Sequence, residues 1–484
     1  MRRLGTILLA VTAFLAVSCN WNEVIDDTKP MPPEISLDNS SAVYTIMTGE
    51  TLIVSPSYKY VTGATYAWTI DNKVISTEPV LRYTDDVAHS VYIRITVKTD
   101  AGSASDEIRV DVKAPAPPPD PEPEPDASFW TFPQTEFNVS LGRSILLKPY
   151  DIKEEDGISY IWTVDGTQVQ DDASAGYVFE ARQEGSYEVR VTHSALSQTL
   201  TVNVCPAEGA YRRAASAASS PTASRIFEFT PAPGQYVNED YTANTPEEAV
   251  EYVVKRFTNG SYVSLGGFGG YVVAGFDHSI DNNGGYEIGI VTHLSEEYTE
   301  AGAVWVMQDE NGDGLPNDTW YELKGSDTFA ETTIHDYSIT YYKPSAPGMS
   351  VQWTDNQGRS GKVNYMGAYH QQEWYYPLWI SEDSYTLRGT RLEAHNYDRS
   401  GNGTYWVNPP YGWGYVDNFN EIDMLGSKDT NHFRISDAVR YDGSPADLKY
   451  IDFVKVQNAI NGSSGWLGEI STEVCGIFDN NLSE

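Results

Sequence analysis

The sequence predicts an all-β protein: two small β-sandwiches, then a large jelly-roll-like β-sandwich domain with one or two short helices. Three observations predict it. The stretch "YAWTIDNKVIS" (Tyr66–Ser76) returns as "YIWTVDGTQVQ" (Tyr160–Gln170). Each copy is followed by an alternating run, "VYIRITV" or "YEVRVTH", and strict alternation puts every second side chain on one face of a strand. Residues 225–484 consist largely of short aromatic or β-branched runs between Gly and Asn turns, which is how packed sheets are written.

The 484 residues allow two to four domains at roughly 100–200 residues each. The formal net charge of −36 repels phosphate backbones and anionic lipid, so nucleic acid is excluded as a partner. The start, "MRRLGTILLAVTAFLAVSCN", has a basic end and an apolar run that is short for a bilayer span. It resembles a bacterial lipoprotein signal, 1–18, with cleavage before Cys19 and lipid on the Cys19 thiol. An acidic tether, 19–30, follows, with Glu23, Asp26 and Asp27. In Bacteroidetes-type lipoproteins such a patch resembles a surface-export signal, so an outer-membrane anchor facing outward is expected. Cys205 and Cys475 fall in different expected domains and are read as separate buried thiols.

Each repeat copy begins with an apolar strand after Gly, "GETLIVSP" or "GRSILLKP". The two units, 31–113 and 127–206, are each about the size of an immunoglobulin-like sandwich. Neither carries the cysteine pair of antibody domains. They resemble PKD-like or bacterial Ig-like domains, in which Trp68 and Trp162 would fill the space between two sheets. Between them, "APAPPPDPEPEPD" (114–126) reads as a polyproline II spacer of about 3.1 Å per residue. A softer Ala/Ser-rich linker is expected over 207–224. The large domain then runs from 225 to 484. Its clearest helix is "NTPEEAVEYVVKRFTNG": Thr245 caps, Pro246 starts, Glu248 completes a capping box and Gly260 closes.

Within that domain "DENGDGLPND" is spaced as a calcium loop. Calcium takes six to eight oxygens, and alternate side chains on a tight turn deliver them. Asp309, Asn311 and Asp313 stand at positions one, three and five, Gly314 turns the chain, and Leu315 offers its carbonyl. Position twelve is Trp320, so Asp318 or Glu322 must close the shell. The expected role is a structural calcium clip; the alternative is an acidic hairpin turn with no ion.

Two aromatic stretches are the expected ligand face: Tyr369, His370, Gln372, Trp374, Tyr375, Tyr376 and Trp379 in the first, and Tyr405, Trp406, Asn408, Tyr411, Trp413, Tyr415 and Asn418 in the second. Tyr375 and Tyr376 are adjacent and would point to opposite faces if extended. Rings on loops supply stiff contact area for flat ligands, sugars or a macrocycle. No histidine stands at HExxH spacing and there is no Gly-x-Ser-x-Gly, so no catalytic residue is assigned. "GGFGG" (Gly266–Gly270) precedes a strand and reads as a bend rather than a phosphate loop.

The runs "SLGGFGGYVVAGFDHSIDNNGGYEIGI", "VWVMQDENGDGLPNDTWYELKGS", "FEFTPAPGQYVNE" and the block from Phe433 to Ile477 resemble the PKD-containing surface lipoproteins of cobalamin-transport loci in gut Bacteroidetes, with a galactose-binding-like jelly roll. The resemblance implies capture of cobamides (vitamin B12) for a TonB-dependent outer-membrane transporter. Asn408, Asn418 and Gln372 would then bond the corrin's amides, and His370 is the nearest histidine for its cobalt. Composition and spacing leave a glycan-binding surface lipoprotein equally open.

Overall fold

The computed structural model describes residues 31–113, 131–150, 152, 159–194 and 196–482. The signal peptide with Cys19, the acidic tether and the Pro-rich linker 114–126 lie outside the described residues. Among the described residues, no helix is long and apolar enough to cross a membrane.

The two repeats fold alike. In the first, a five-stranded sheet runs Val43–Met47, Gly102–Lys113, His89–Thr99, Thr65–Ile70 and Lys73–Ser76, with Thr51–Val54 paired to Leu81–Thr84 separately. In the second the order is Glu136–Ser140, Leu196–Cys205, Gly185–His193, Tyr160–Val164 and Thr167–Asp172, with Ser144–Leu147 paired to Tyr177–Glu180. In each five-stranded sheet the edge strand Val43–Met47 or Glu136–Ser140 lies parallel to the unit's last strand, and the other pairs are antiparallel; in the first unit Glu34–Ser36 pairs antiparallel with Ser57–Lys59 besides. Both copies turn their hairpin at residues of positive φ, Asp71–Asn72 and Asp165–Gly166, as a two-residue hairpin turn demands. Both also shift register just after the tryptophan. Trp68 and Trp162 are fully buried in their sandwich cores. Trp68 donates its Nε1–H to the Glu78 carbonyl at 3.0 Å; Trp162 stacks on Tyr177 at 5.5 Å.

The large domain is built on a six-stranded antiparallel sheet in the order Arg225–Thr230, Tyr271–Asp281, Tyr450–Asn458, Gly302–Met307, Trp320–Leu323 and Ala438–Val439. A three-stranded sheet, Thr430–Phe433, Ile288–Val291 and Gly476–Asp479, shares its main core, which includes Val272, Val304, Val454, Ile288, Ile290 and Ile477. The helix Pro246–Thr258 closes this core through buried Ala249 and Val253. Its Thr245 cap accepts from the Glu248 N–H at 3.2 Å, while the Glu248 carboxylate takes the Asn244 N–H at 2.7 Å. A four-stranded sheet, Ser360–Val363, Val351–Asp355, Ile334–Tyr342 and Ser384–Arg391, has its own core with Phe268, Tyr375 and Tyr376. The bend at "GGFGG" is a close approach of chains: a Cβ on Gly270 would lie 1.8 Å from the Leu265 carbonyl oxygen, and one on Gly266 1.9 Å from that of Ala232.

The segment 207–224 is no free hinge. Ala223 donates its N–H to the Ile477 carbonyl and Arg213 its N–H to Ser279 Oγ, each at 2.9 Å. Arg213 also pairs with buried Asp452 at 3.0 Å, and Arg212 pairs with Asp281. Two arginines facing carboxylates override the low apolar content that reads as a linker. Both small sandwiches also touch the large domain. Lys362 pairs with Asp106 at 2.9 Å, and the Arg109 guanidinium lies 4.0 Å over the Tyr342 ring. Arg143 pairs with Glu208 at 2.8 Å and donates to the Ala446 carbonyl. Cys205 and Cys475 are free thiols, and burial pushes both up, Cys205 to about 11 and Cys475 to about 12.

Candidate functional site

The stretch from Tyr369 to Ile380 is a loop rather than a strand, so alternation does not govern its rings. Tyr375 and Tyr376 are both buried in the core of the four-stranded sheet. Their hydroxyls donate to the His370 and Glu382 carbonyls at 3.1 and 3.0 Å. Trp379 packs against Phe229 and Tyr241 at 6.2 Å. It lines a groove of about 740 Å³ between the edge strand Arg225–Thr230 and the helix start at Pro246 and Glu247. Trp374 is half-buried.

In the second stretch, Tyr411, Tyr415, Asn408 and Asn418 are buried. Asn418 accepts the Tyr411 N–H at 2.9 Å and donates to its carbonyl at 3.1 Å, and Asn408 accepts from Ser464 Oγ at 3.3 Å. These side chains hold their loop together instead of facing solvent, alongside backbone bonds such as Val416 N–H to the Gly302 carbonyl and Asn408 N–H to that of Glu297. Gln372 likewise donates to the Val237 carbonyl at 3.0 Å. Trp413 lines a separate pocket of about 230 Å³ with Ile422, His432 and Arg434. The structure therefore does not bring all the expected ligand residues to one place.

It does gather part of them with residues the sequence did not mark. Tyr369, 65 % exposed, approaches Trp466, 44 % exposed, with ring centroids 6.3 Å apart. The Trp406 ring lies over Gly465, where a Cβ would meet its Nε1 at 2.5 Å. His370 packs edge-on against Tyr236 at 4.8 Å and pairs with Glu239 at 2.8 Å. Tyr236 meets Tyr262 at 6.1 Å, and Tyr262 lies parallel to the His293 ring at 6.1 Å. His293 in turn pairs with Glu473 at 3.2 Å. Tyr405 is 43 % exposed, with Arg399 5.0 Å over its ring.

Beneath the arc lie four acids from three parts of the chain: Glu300, Asp417, and Glu469 with Glu473. Asp417 accepts the Glu473 N–H at 2.9 Å, Glu300 accepts the Ser471 N–H at 2.9 Å, and Glu469 accepts the Gln235 N–H at 2.7 Å. The second Glu469 oxygen is buried without a donor. Burial, with the mutual repulsion of Asp417 and Glu473, raises the Glu300 carboxyl far above its ordinary range. Burial and Glu473 do the same to Asp417. Burial pushes Glu469 and Glu473 up to about 7. Acids forced toward the neutral form carry both donors and acceptors, and clustered perturbed carboxyls mark functional sites. Beside exposed rings, such a basin suits a neutral ligand with a flat apolar face and amide or hydroxyl edges. No motif announces it, because residues 300, 417, 469 and 473 meet only through the fold.

The acidic loop stands apart from this basin. Asp309 accepts the N–H groups of Gly312 and Gly314 at 2.8 and 3.0 Å. Asp313 accepts from the Leu315 N–H and from the amides of Asn311 and Asn317, and Asn311 accepts the Asp313 N–H. The loop thus satisfies these outer oxygens by itself. Glu322 is turned to the Thr390 hydroxyl and to His335, because its strand Trp320–Leu323 carries it into the six-stranded sheet. Asp318 is the nearer of the two expected closing residues: it accepts the Glu310 N–H at 2.8 Å. Among the described residues, no three His, Cys, Asp or Glu side chains group as metal ligands.

A family profile described as a PKD-like domain matches residues 32–99. Among solved structures, the chain is similar to the fibronectin(III)-like modules of Clostridium thermocellum CbhA, at 15 % identity over 36 % of this chain and 95 % of that one, with a TM-score of 0.16. It is similar to the PKD domain of human KIAA0319, at 12 % identity over 20 % of this chain and 96 % of that one, TM-score 0.16. It is also similar to the titin domains z1z2 solved with telethonin, at 18 % identity over 37 % and 95 %, TM-score 0.15. No curated protein gave a match. The chain is all-β, with PKD- and Ig-like domains in its N-terminal part and further sandwich-like sheets behind them.

Proposed function

We propose that this chain is a non-enzymatic, lipid-anchored surface protein whose large, jelly-roll-like domain captures a cobamide and passes it to a TonB-dependent outer-membrane transporter. The observation that carries the reading is the arc of Tyr369, Trp466, Tyr236, Tyr262 and His293 over the carboxyl floor of Glu300, Asp417, Glu469 and Glu473. A corrin is flat and apolar on its faces and rimmed with amides. Rings take the faces; carboxyls take the amide N–H groups. The sequence resemblance favours a cobamide as the ligand, and the exposed rings of the arc support binding there. A glycan of a polysaccharide-uptake system is the second reading, since the exposed Tyr369–Trp466 pair also suits sugar rings.

Titrating the full chain with cyanocobalamin, followed by calorimetry, tests both. Binding at micromolar ligand is expected. Replacing both Tyr369 and Trp466 with Ala is expected to weaken it at least tenfold, about 1.4 kcal/mol, with the melting temperature unchanged because both rings are exposed. Absence of binding at micromolar ligand, with hits on a glycan array, would replace the cobamide reading with the glycan one.

A further inference from the structure

The joint between the second small sandwich and the large domain holds more buried negative charge than its cations neutralise. Five carboxylates converge there: Glu208, Asp309, Glu310, Asp318 and Asp452. Arg143 is committed to Glu208, and Arg213 to Asp452. Lys449 reaches Glu208 at 3.6 Å. Asp309 is satisfied by its own loop. Glu310 and Asp318 remain, 3 % and 6 % exposed, and among the described residues no Lys, Arg or His makes an ion pair with either.

Each has one oxygen on a backbone N–H and one that is not. Glu310 Oε2 accepts the Ser140 N–H of the small sandwich at 3.1 Å, and Asp318 Oδ2 accepts the Glu310 N–H. Glu310 Oε1 is buried with no donor, and Asp318 Oδ1 is buried with the Asn138 side chain of the small sandwich as its one polar neighbour. A third acceptor on the same segment is equally bare and is not an acid: Gln308, 1 % exposed, donates its amide to Glu208 and to the Tyr450 carbonyl and leaves Oε1 unpaired. Buried unpaired carboxylates cost far more than exposed ones.

We infer that the inner oxygens of Glu310 and Asp318, with the unpaired carboxamide oxygen of Gln308 two residues before Glu310, form a divalent-cation site of calcium type that locks the second small sandwich to the large domain. A hard cation with oxygen ligands answers bare carboxylate and carboxamide oxygens in one step. The site differs from the loop register Asp309–Asn311–Asp313, whose oxygens the loop itself occupies, and it is independent of the ligand the large domain carries.

The test uses the full chain, calcium chloride as the probe, and two readouts: the melting temperature with and without chelator, and terbium emission sensitised by Tyr321, whose ring neighbours Glu310. Calcium is expected to raise the melting temperature by several degrees. Glu310→Gln and Asp318→Asn, which keep volume and remove charge, are each expected to abolish the calcium shift and the terbium signal. Asp313→Asn is expected to keep both. Circular dichroism confirms that each variant folds. Loss of the signal in Asp313→Asn would put the ion in the outer loop and overturn the inference. So would a wild-type chain that ignores calcium while Glu310→Gln raises its melting temperature, since the joint would then be neutralised by a proton.

Discussion

Glu469 shows what burial does to a single side chain. It is 5 % exposed, accepts one N–H and leaves its other oxygen bare. Burial pushes its carboxyl from an ordinary 4.5 up to about 7. The folded chain therefore holds a proton that the unfolded chain releases earlier. The resulting stability is full below about pH 4.5 and is lost as pH rises through about 7, on the order of 3 kcal/mol. Melting temperature is expected to fall between pH 5 and pH 8, and Glu469→Gln is expected to flatten that slope. An unchanged slope in the variant would assign the effect to Glu300, Asp417 and Glu473. None of these four acids was legible in the sequence. Each is one acid among many in a chain with 68 of them, and only packing selects these four.

At the scale of elements, legibility followed local chemistry. The helix Pro246–Thr258 was written in its cap, its proline and its apolar spacing, and the structure keeps all three. Thr245→Ala is expected to cost about 1 kcal/mol in urea unfolding, because it strips the acceptor from the Glu248 N–H. The repeat marked the two tryptophan strands but not their hairpins; the turns that close them, Asp71–Asn72 and Asp165–Gly166, have positive φ at both positions, as a two-residue hairpin turn demands. The aromatic loops were not legible. Alternation tells which face a ring takes only where the chain is extended, and residues 369–380 coil. Their tyrosines divide between core and surface by tertiary contact alone, so Tyr375 is buried while Tyr369, six residues earlier, is 65 % exposed.

For the molecule as a whole, the joints decide how its parts act together. Arg143 and Glu208 are 10 % and 12 % exposed and pair at 2.8 Å. Burial opposes ionised Glu208, but the Lys449 N–H, the Gln308 amide and Arg143 outweigh it and hold the carboxyl below its ordinary range. Removing one partner of a buried pair strands the other, at about 3–5 kcal/mol. Arg143→Ala is expected to split one calorimetric transition into two, with the small sandwich released first; a single transition at the wild-type temperature would show that the joint stands without this pair. The parallel pairing of an early strand with the last one in both small sandwiches has a further consequence. A chain pulled at both ends enters the second sandwich on Glu136–Ser140 and leaves on its neighbour Leu196–Cys205, from opposite ends of the pair. Traction then loads every rung of that ladder at once, in shear, instead of peeling rungs one after another. A sandwich built this way yields little to tension along its chain.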